Sequence, residues 1–193
     1  MTSFLRKISS GAVNTVAFWL DRIGIHPNTL TLAGFLGHFA AAWMIAKGSL
    51  VWGALVLIFF GLFDTLDGAL ARFQEKVTQF GAFLDSMCDR FSEAVIFLGI
   101  FNFFYSLDSY IGCFLTLLAF IGSVLVSYTR ARAEAVGVLP KLGVMTRVER
   151  YIVLALALLL DKMIIGLAVI SILAFFTVGQ RIWFVHRQLE ARH

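Results

Sequence analysis

Four aspartates stand at spacings that could assemble a cation site: Asp64 lies three residues before Asp67, and Gly81, Asp85 and Asp89 follow one another at intervals of four. On a helix, residues three or four apart share one face. An antiparallel helix pair joined by the short turn Phe73 to Gln79 would therefore bring the four carboxylates together. In a low dielectric such a group repels itself unless its members are protonated or a strong positive charge sits between them. Oxygen-only donors favour a hard cation, Mg²⁺, Mn²⁺ or Ca²⁺, over zinc, which prefers His or Cys. Two ions about 3.5–4 Å apart would clamp both the attacking and the leaving oxygen of a phosphoryl group, so the expected cofactor is a pair of Mg²⁺ or Mn²⁺ ions. Gly68 and Gly81 would let backbone and ligand approach closely. Arg72, one turn beyond Asp67 and Gly68, suits either a carboxylate or a phosphate. The competing reading is a proton or ion pathway, or structural pairs with Arg72 and Arg90.

The elements that must position these residues are dictated by composition. With 60% hydrophobic and only 15% charged residues in 193, the chain has too little polar surface to coat a soluble globule. A mean hydropathy of +0.86 points to a bilayer, whose core is crossed by about 20 mostly apolar helical residues. Apolar stretches run from Leu30 to Ala46, Leu50 to Leu70, Phe80 to Phe104 and Tyr110 to Val126, then from Ile152 to Leu160, extended toward Met145, and from Ile164 to Phe184. The expected fold is an all-α integral membrane protein of six transmembrane helices (27–188), preceded by an amphipathic interfacial helix (1–25), together forming a single domain over 1–193. In that first helix Leu5, Ile8, Ala12, Val16, Trp19, Leu20 and Ile23 recur at three- and four-residue intervals.

Positive residues are retained on the cytoplasmic side. The basic segments at Arg6 to Arg22, Arg72 to Lys76, Arg130 to Arg150 and Arg181 to Arg192 would share that side, against only Lys47 and Lys162 opposite. Both termini and the acidic site are thus expected to face the cytosol. The net charge of +4 then reflects topology and anionic headgroups, with no nucleic acid as partner. Cys88 and Cys113 lack metal-type spacing and read as reduced packing residues. Ser9, Ser10, Asn14 and Thr15 interrupt the N-terminal stretch, so no signal peptide is expected.

The run Asp64-Thr65-Leu66-Asp67-Gly68-Ala69-Leu70-Ala71-Arg72, then eight residues, then Gly81-Ala82-Phe83-Leu84-Asp85-Ser86-Met87-Cys88-Asp89 resembles the signature of the CDP-alcohol phosphotransferase family and fills its every fixed position. The resemblance implies six membrane helices around a polar cavity open to the cytosol, and a homodimer. It also implies a reaction in which a CDP-linked donor passes its substituted phosphoryl group to an alcohol and releases CMP. Asp64, Asp67, Asp85 and Asp89 would hold two divalent ions, with Asp89 also the general base. Gly68, Ala71, Arg72 and Gly81, with Asp67, would accommodate the CDP portion. His26-Pro27-Asn28-Thr29-Leu30-Thr31 is similar to the family's approach to its first span, where Asn28 and Thr31 would shape the nucleotide pocket, although Asn28 could equally cap the helix.

A second constellation bears on the acceptor. Arg130, Arg132, Arg147, Arg150 and Arg181 fall at the expected cytosolic helix ends, and guanidinium groups suit bidentate capture of a phosphate monoester. The alternative for each is the positive-inside preference. The stretches Ser127-Tyr128-Thr129-Arg130-Ala131-Arg132-Ala133-Glu134-Ala135 and Arg147-Val148-Glu149-Arg150, with Gln180-Arg181, resemble those of the phosphatidylinositol phosphate synthases, the prokaryotic branch of the family. Arg130 takes a place where that branch carries Lys. This resemblance implies CDP-diacylglycerol, or an ether-lipid analogue, as donor and inositol 1-phosphate as acceptor, at the plasma membrane among its lipids. The nearest rival is a phosphatidylglycerophosphate synthase, and a carboxylate-based cation or proton transporter is the rival of another class. Glu134 and Glu149 are expected to orient neighbouring arginines, the alternative being that they face water, and Arg90 and Glu93 to form a structural ion pair.

Overall fold

The computed structural model describes residues 15–140 and 142–191. Every regular element among them is an α-helix: α1 (15–22), α2 (Pro27–Ala46), α3 (Leu50–Phe73), α4 (Gln79–Ser106), α5 (Tyr110–Ala135), α6 (Arg147–Leu159) and α7 (Met163–Glu190). Among the described residues, α2, α3, α5 and α7 are long and apolar enough to cross a membrane. The chain is a multi-pass membrane protein. The other two expected spans differ for physical reasons. The 28-residue α4 carries Asp85, Asp89, Arg90 and Glu93 between its N-terminus and its middle, and α6 has 13 residues, a length of about 20 Å against a hydrocarbon core of about 30 Å.

Local chemistry fixes the helix ends. Pro27 opens α2, where its missing N–H costs nothing, and the ring Nδ1 of His26 accepts from the Asn28 N–H at 3.3 Å. His26, not Asn28, therefore caps this helix. The helix α5 continues nine residues past Val126, where its apolar stretch closes, to Ala135, because Arg, Ala and Glu are good helix formers whether or not lipid surrounds them. At the start of α6, the Glu149 carboxylate accepts from the Thr146 N–H at 2.9 Å and also from the Thr146 hydroxyl. Glu149 thus closes a helix terminus, which corrects the expectation that it orients an arginine.

The chain divides into two compact units, Met1–Ala41 with Leu55–Ile96, and Ala42–Ala54 with Phe97–His193. Within the first, Gly37 of α2 faces the Phe60 ring of α3 so closely that a Cβ would overlap it. Small residues at such crossings replace the hydrophobic driving force that lipid removes. Leu57, Leu70 and Ile96 fill the interior. In α1, Ala17 is buried whereas Val16, Phe18 and Trp19 are exposed, as is Ile23 just beyond it; Leu5, Ile8 and Ala12 lie outside the described residues. The side chain of Gln74 fastens this helix to the end of α3, donating to Asp21 Oδ1 at 2.9 Å and to the Ile25 carbonyl at 3.1 Å. Within the second unit α5 packs along α7 at Gly122 and Ala174, and Ala119, Leu167 and Ile170 are fully buried. Cys88 and Cys113 are free thiols.

Candidate functional site

The acidic residues stand on the last turns of α3 and the first of α4, both in the first unit. The turn between them is specified residue by residue. Glu75 adopts a left-handed φ of 54°, and the Lys76 N–H returns to the Ala71 carbonyl at 2.9 Å while the Glu75 N–H reaches the Arg72 carbonyl at 3.3 Å. This pair of bonds is the Schellman termination, here with Glu in the place usually taken by Gly. Two residues later the Thr78 hydroxyl accepts from the Gly81 N–H at 2.9 Å and starts α4.

The return brings Asp64, Asp67 and Asp85 together: one carboxylate oxygen from each lies within 4.8 Å of the others. Asp67 is buried, and Asp64 and Asp85 are half-buried. The Thr31 hydroxyl of α2 donates to Asp67 Oδ2 at 2.6 Å, a length typical of a bond to an ionised carboxylate. Asp89, one turn further along α4, is buried outside this triad and accepts from Arg90 Nη1 at 3.2 Å, so Arg90 pairs with its immediate neighbour. The buried Cys88 thiol is within electrostatic reach of all four carboxylates. Three hard oxygen donors of one sign, gathered where water is scarce, fit a divalent cation such as Mg²⁺ or Mn²⁺.

Beside the triad is a cavity of about 280 Å³. Each residue expected to hold the CDP portion borders it: Asn28 and Thr31 from α2, Asp67, Gly68, Ala71 and Arg72 from α3, and Gly81 from α4. A Cβ at Gly81 would sit 3.0 Å from the Thr78 hydroxyl and 3.5 Å from Asn28 Oδ1, so a side chain there would crowd the wall. Lys76 and Thr78 also line the cavity and were missed in the sequence. The signal was the eight-residue interval itself, since a turn that joins two site helices must pass beside the site.

The arginines belong to the second unit. Arg150 and Arg181 are buried, 2% and 5% exposed, whereas Arg130 and Arg132 are exposed and Arg147 is half-buried. Arg181 lies within electrostatic reach of Arg130, Arg150 and Glu134. Its Nε donates to the Leu142 carbonyl at 3.1 Å and its Nη1 to the Val126 carbonyl. Arg150 Nη1 donates to the Met145 carbonyl at 3.3 Å, and Arg130 Nε pairs with Glu134 at 2.9 Å, so Glu134 does orient an arginine. The α5–α6 connection is held further by Thr177, whose hydroxyl accepts from the Met145 N–H at 3.0 Å. At Gly143 the backbone has φ +148°, and a Cβ would meet Thr177 and Arg181.

Comparison with known proteins places these features in a wider set. The model of the CDP-alcohol phosphatidyltransferase family matches residues 24–183. The chain is 38% identical over 176 residues to the archaetidylinositol phosphate synthase of Methanothermobacter thermautotrophicus, covering 88% of each chain. It is 36% identical over 191 residues to that of Pyrococcus horikoshii, covering 98% of this chain and 99% of the other. Its structure is similar to that of the Mycobacterium tuberculosis phosphatidylinositol phosphate synthase with CDP-DAG bound, at a TM-score of 0.82 and 32% identity over 90% of this chain and 92% of that one. The same mycobacterial enzyme has been solved in complex with manganese and citrate, again at a TM-score of 0.82 and 32% identity, covering 90% and 88% of the two chains.

Proposed function

This chain belongs to the CDP-alcohol phosphatidyltransferase family, and we propose that it transfers the phosphatidyl group of CDP-diacylglycerol, or of an ether-lipid analogue, to a hydroxyl of inositol 1-phosphate, releasing CMP and forming a phosphatidylinositol phosphate. The observation that carries this reading is the meeting of Asp64, Asp67 and Asp85 within 4.8 Å beside a cavity walled by the rest of the signature. The kinship with inositol phosphate synthases that make archaeal and bacterial lipids supports the acceptor and leaves both tail chemistries in play.

In this reading Asp64, Asp67, Asp85 and Asp89 hold the metal. Two Mg²⁺ or Mn²⁺ ions, when bound, supply charge neutralisation and Lewis-acid polarisation to the pyrophosphate. Asn28, Thr31, Asp67, Gly68, Ala71, Arg72 and Gly81 accommodate the CDP portion, with the Arg72 guanidinium directed to phosphate. Asp89 takes the proton of the acceptor hydroxyl as general base. Arg130, Arg132, Arg147, Arg150 and Arg181 recognise the acceptor's phosphate, which an uncharged alcohol would not require. No covalent enzyme intermediate is needed.

The proposed setting is the plasma membrane, with six spans, a single domain over 1–193, both termini and the active site cytosolic, and a homodimer as the working unit. The lipid tails then stay in the bilayer while the headgroup reacts at its boundary. The test is to supply purified protein with CDP-diacylglycerol, Mg²⁺ and each acceptor in turn, and to follow CMP. CMP release with inositol 1-phosphate is expected. Preference for glycerol 3-phosphate would overturn the acceptor, and ion flux in liposomes without CDP-lipid turnover would overturn the reaction.

A further inference from the structure

We infer that Thr31 is a positioning residue for the metal site, acting through Asp67: its hydroxyl orients the Asp67 carboxylate so that the triad is arranged before a cation arrives. The inference rests on the reading of Asp64, Asp67 and Asp85 as metal ligands. Thr31 stands on the first turns of α2, and Asp67 near the end of α3. Both are 5% exposed and meet at the wall of the cavity. The Thr31 Oγ1 lies 2.6 Å from Asp67 Oδ2 and 3.3 Å from the Pro27 carbonyl of its own helix. A hydroxyl has one proton to give, and the shorter contact, to the charged acceptor, is the stronger.

The bond matters because of what a carboxylate within a helix can draw on. Most helical N–H groups are engaged in the i→i−4 ladder; Asp67 draws on the Gly68 N–H beside it and, across helices, on the Thr31 hydroxyl. By fixing one oxygen, Thr31 sets the rotation of the whole carboxylate plane. Asp67 then presents its ligand oxygen within 4.8 Å of those of Asp64 and Asp85. Partners of this kind, which bond to a ligand and not to the ion, typically tune metal affinity by about 10–100-fold.

Thr31→Val preserves shape and removes the hydroxyl, whereas Thr31→Ser preserves the hydroxyl. Mn²⁺ affinity, read from the EPR signal of free Mn²⁺ over purified protein without lipid substrate, is expected to weaken by about 10–100-fold in Thr31→Val and to be largely retained in Thr31→Ser. Raised Mg²⁺ should recover part of the CMP release lost in Thr31→Val, the remainder belonging to the place of Thr31 in the wall of the CDP cavity. Undiminished Mn²⁺ affinity in Thr31→Val would overturn this inference alone. Wild-type protein that binds no Mn²⁺ would overturn it together with the metal-site reading. Equal weakening in both variants would assign Thr31 to the packing of α2 on α3, and a thermal midpoint measured without metal checks that each variant is folded.

Discussion

The acidic cluster of the first unit and the arginine cluster of the second are both groups of like charge within a chain built for lipid, yet they are settled by different means. Arg150 and Arg181 turn toward backbone carbonyls, at Met145 and at Leu142 and Val126, and Arg130 turns toward Glu134. Asp67 takes its bond from a side-chain hydroxyl, and the triad as a whole remains of one sign. The difference lies in what a helical backbone offers. Each carbonyl has two lone pairs and can accept again after serving its helix, whereas most helical N–H groups are already engaged. The two buried arginines are thus met by backbone carbonyls, while the buried carboxylates take side-chain donors, the Thr31 hydroxyl at Asp67 and the Arg90 guanidinium at Asp89. On the proposed function the acidic region is the vessel for the metal, and the arginine region also serves as scaffold.

That contrast can be broken most directly at the acids. Asp64→Asn, Asp67→Asn and Asp85→Asn should each weaken Mn²⁺ binding beyond the about 10–100-fold expected of an outer partner, and CMP release should be lost with it. Asp89→Asn should abolish CMP release, a general-base contribution of about 10²–10⁴, while circular dichroism shows the helices intact. Substantial retained activity would reject Asp89 as the base. The arginines separate the two regions: Arg181→Lys should raise the KM for inositol 1-phosphate about tenfold, since Lys cannot reproduce the guanidinium fork, and should leave Mn²⁺ affinity unchanged. A lowered thermal midpoint with unchanged KM would make Arg181 scaffold alone.

Smaller effects sharpen the scaffold side. Gly143→Ala, which forces a side chain onto a left-handed backbone against Thr177 and Arg181, should cost roughly 1–3 kcal/mol of stability by thermal unfolding. Glu134→Gln removes an exposed i,i+4 pair with Arg130, and its cost should stay below about 1 kcal/mol.

Legibility in the sequence followed the range of each interaction. The helix starts at Leu50 and Tyr110 were read to the residue, because a change from turn residues to an apolar run is local. In α5 the apolar run closes at Val126 and the helix at Ala135, because hydropathy marks where lipid stops and not where the helix stops. Asn28 is a good cap by residue type, but the helix begins on Pro27 and His26 supplies the acceptor. Nothing along the chain pairs Thr31 with Asp67, thirty-six residues away, or directs Arg181 to carbonyls of α5 and of the α5–α6 connection.

The sequence by itself determined that the chain belongs in a bilayer and that its aspartates share helical faces, since both follow from composition and from the 3.6-residue period. Only the tertiary structure decided which three of the four carboxylates meet, which hydroxyl steadies one of them, and which arginines are engaged with backbone. Those choices depend on how closely particular helix backs approach, and that distance is set by packing across helices, at contacts such as Gly37 on Phe60 and Gly122 on Ala174.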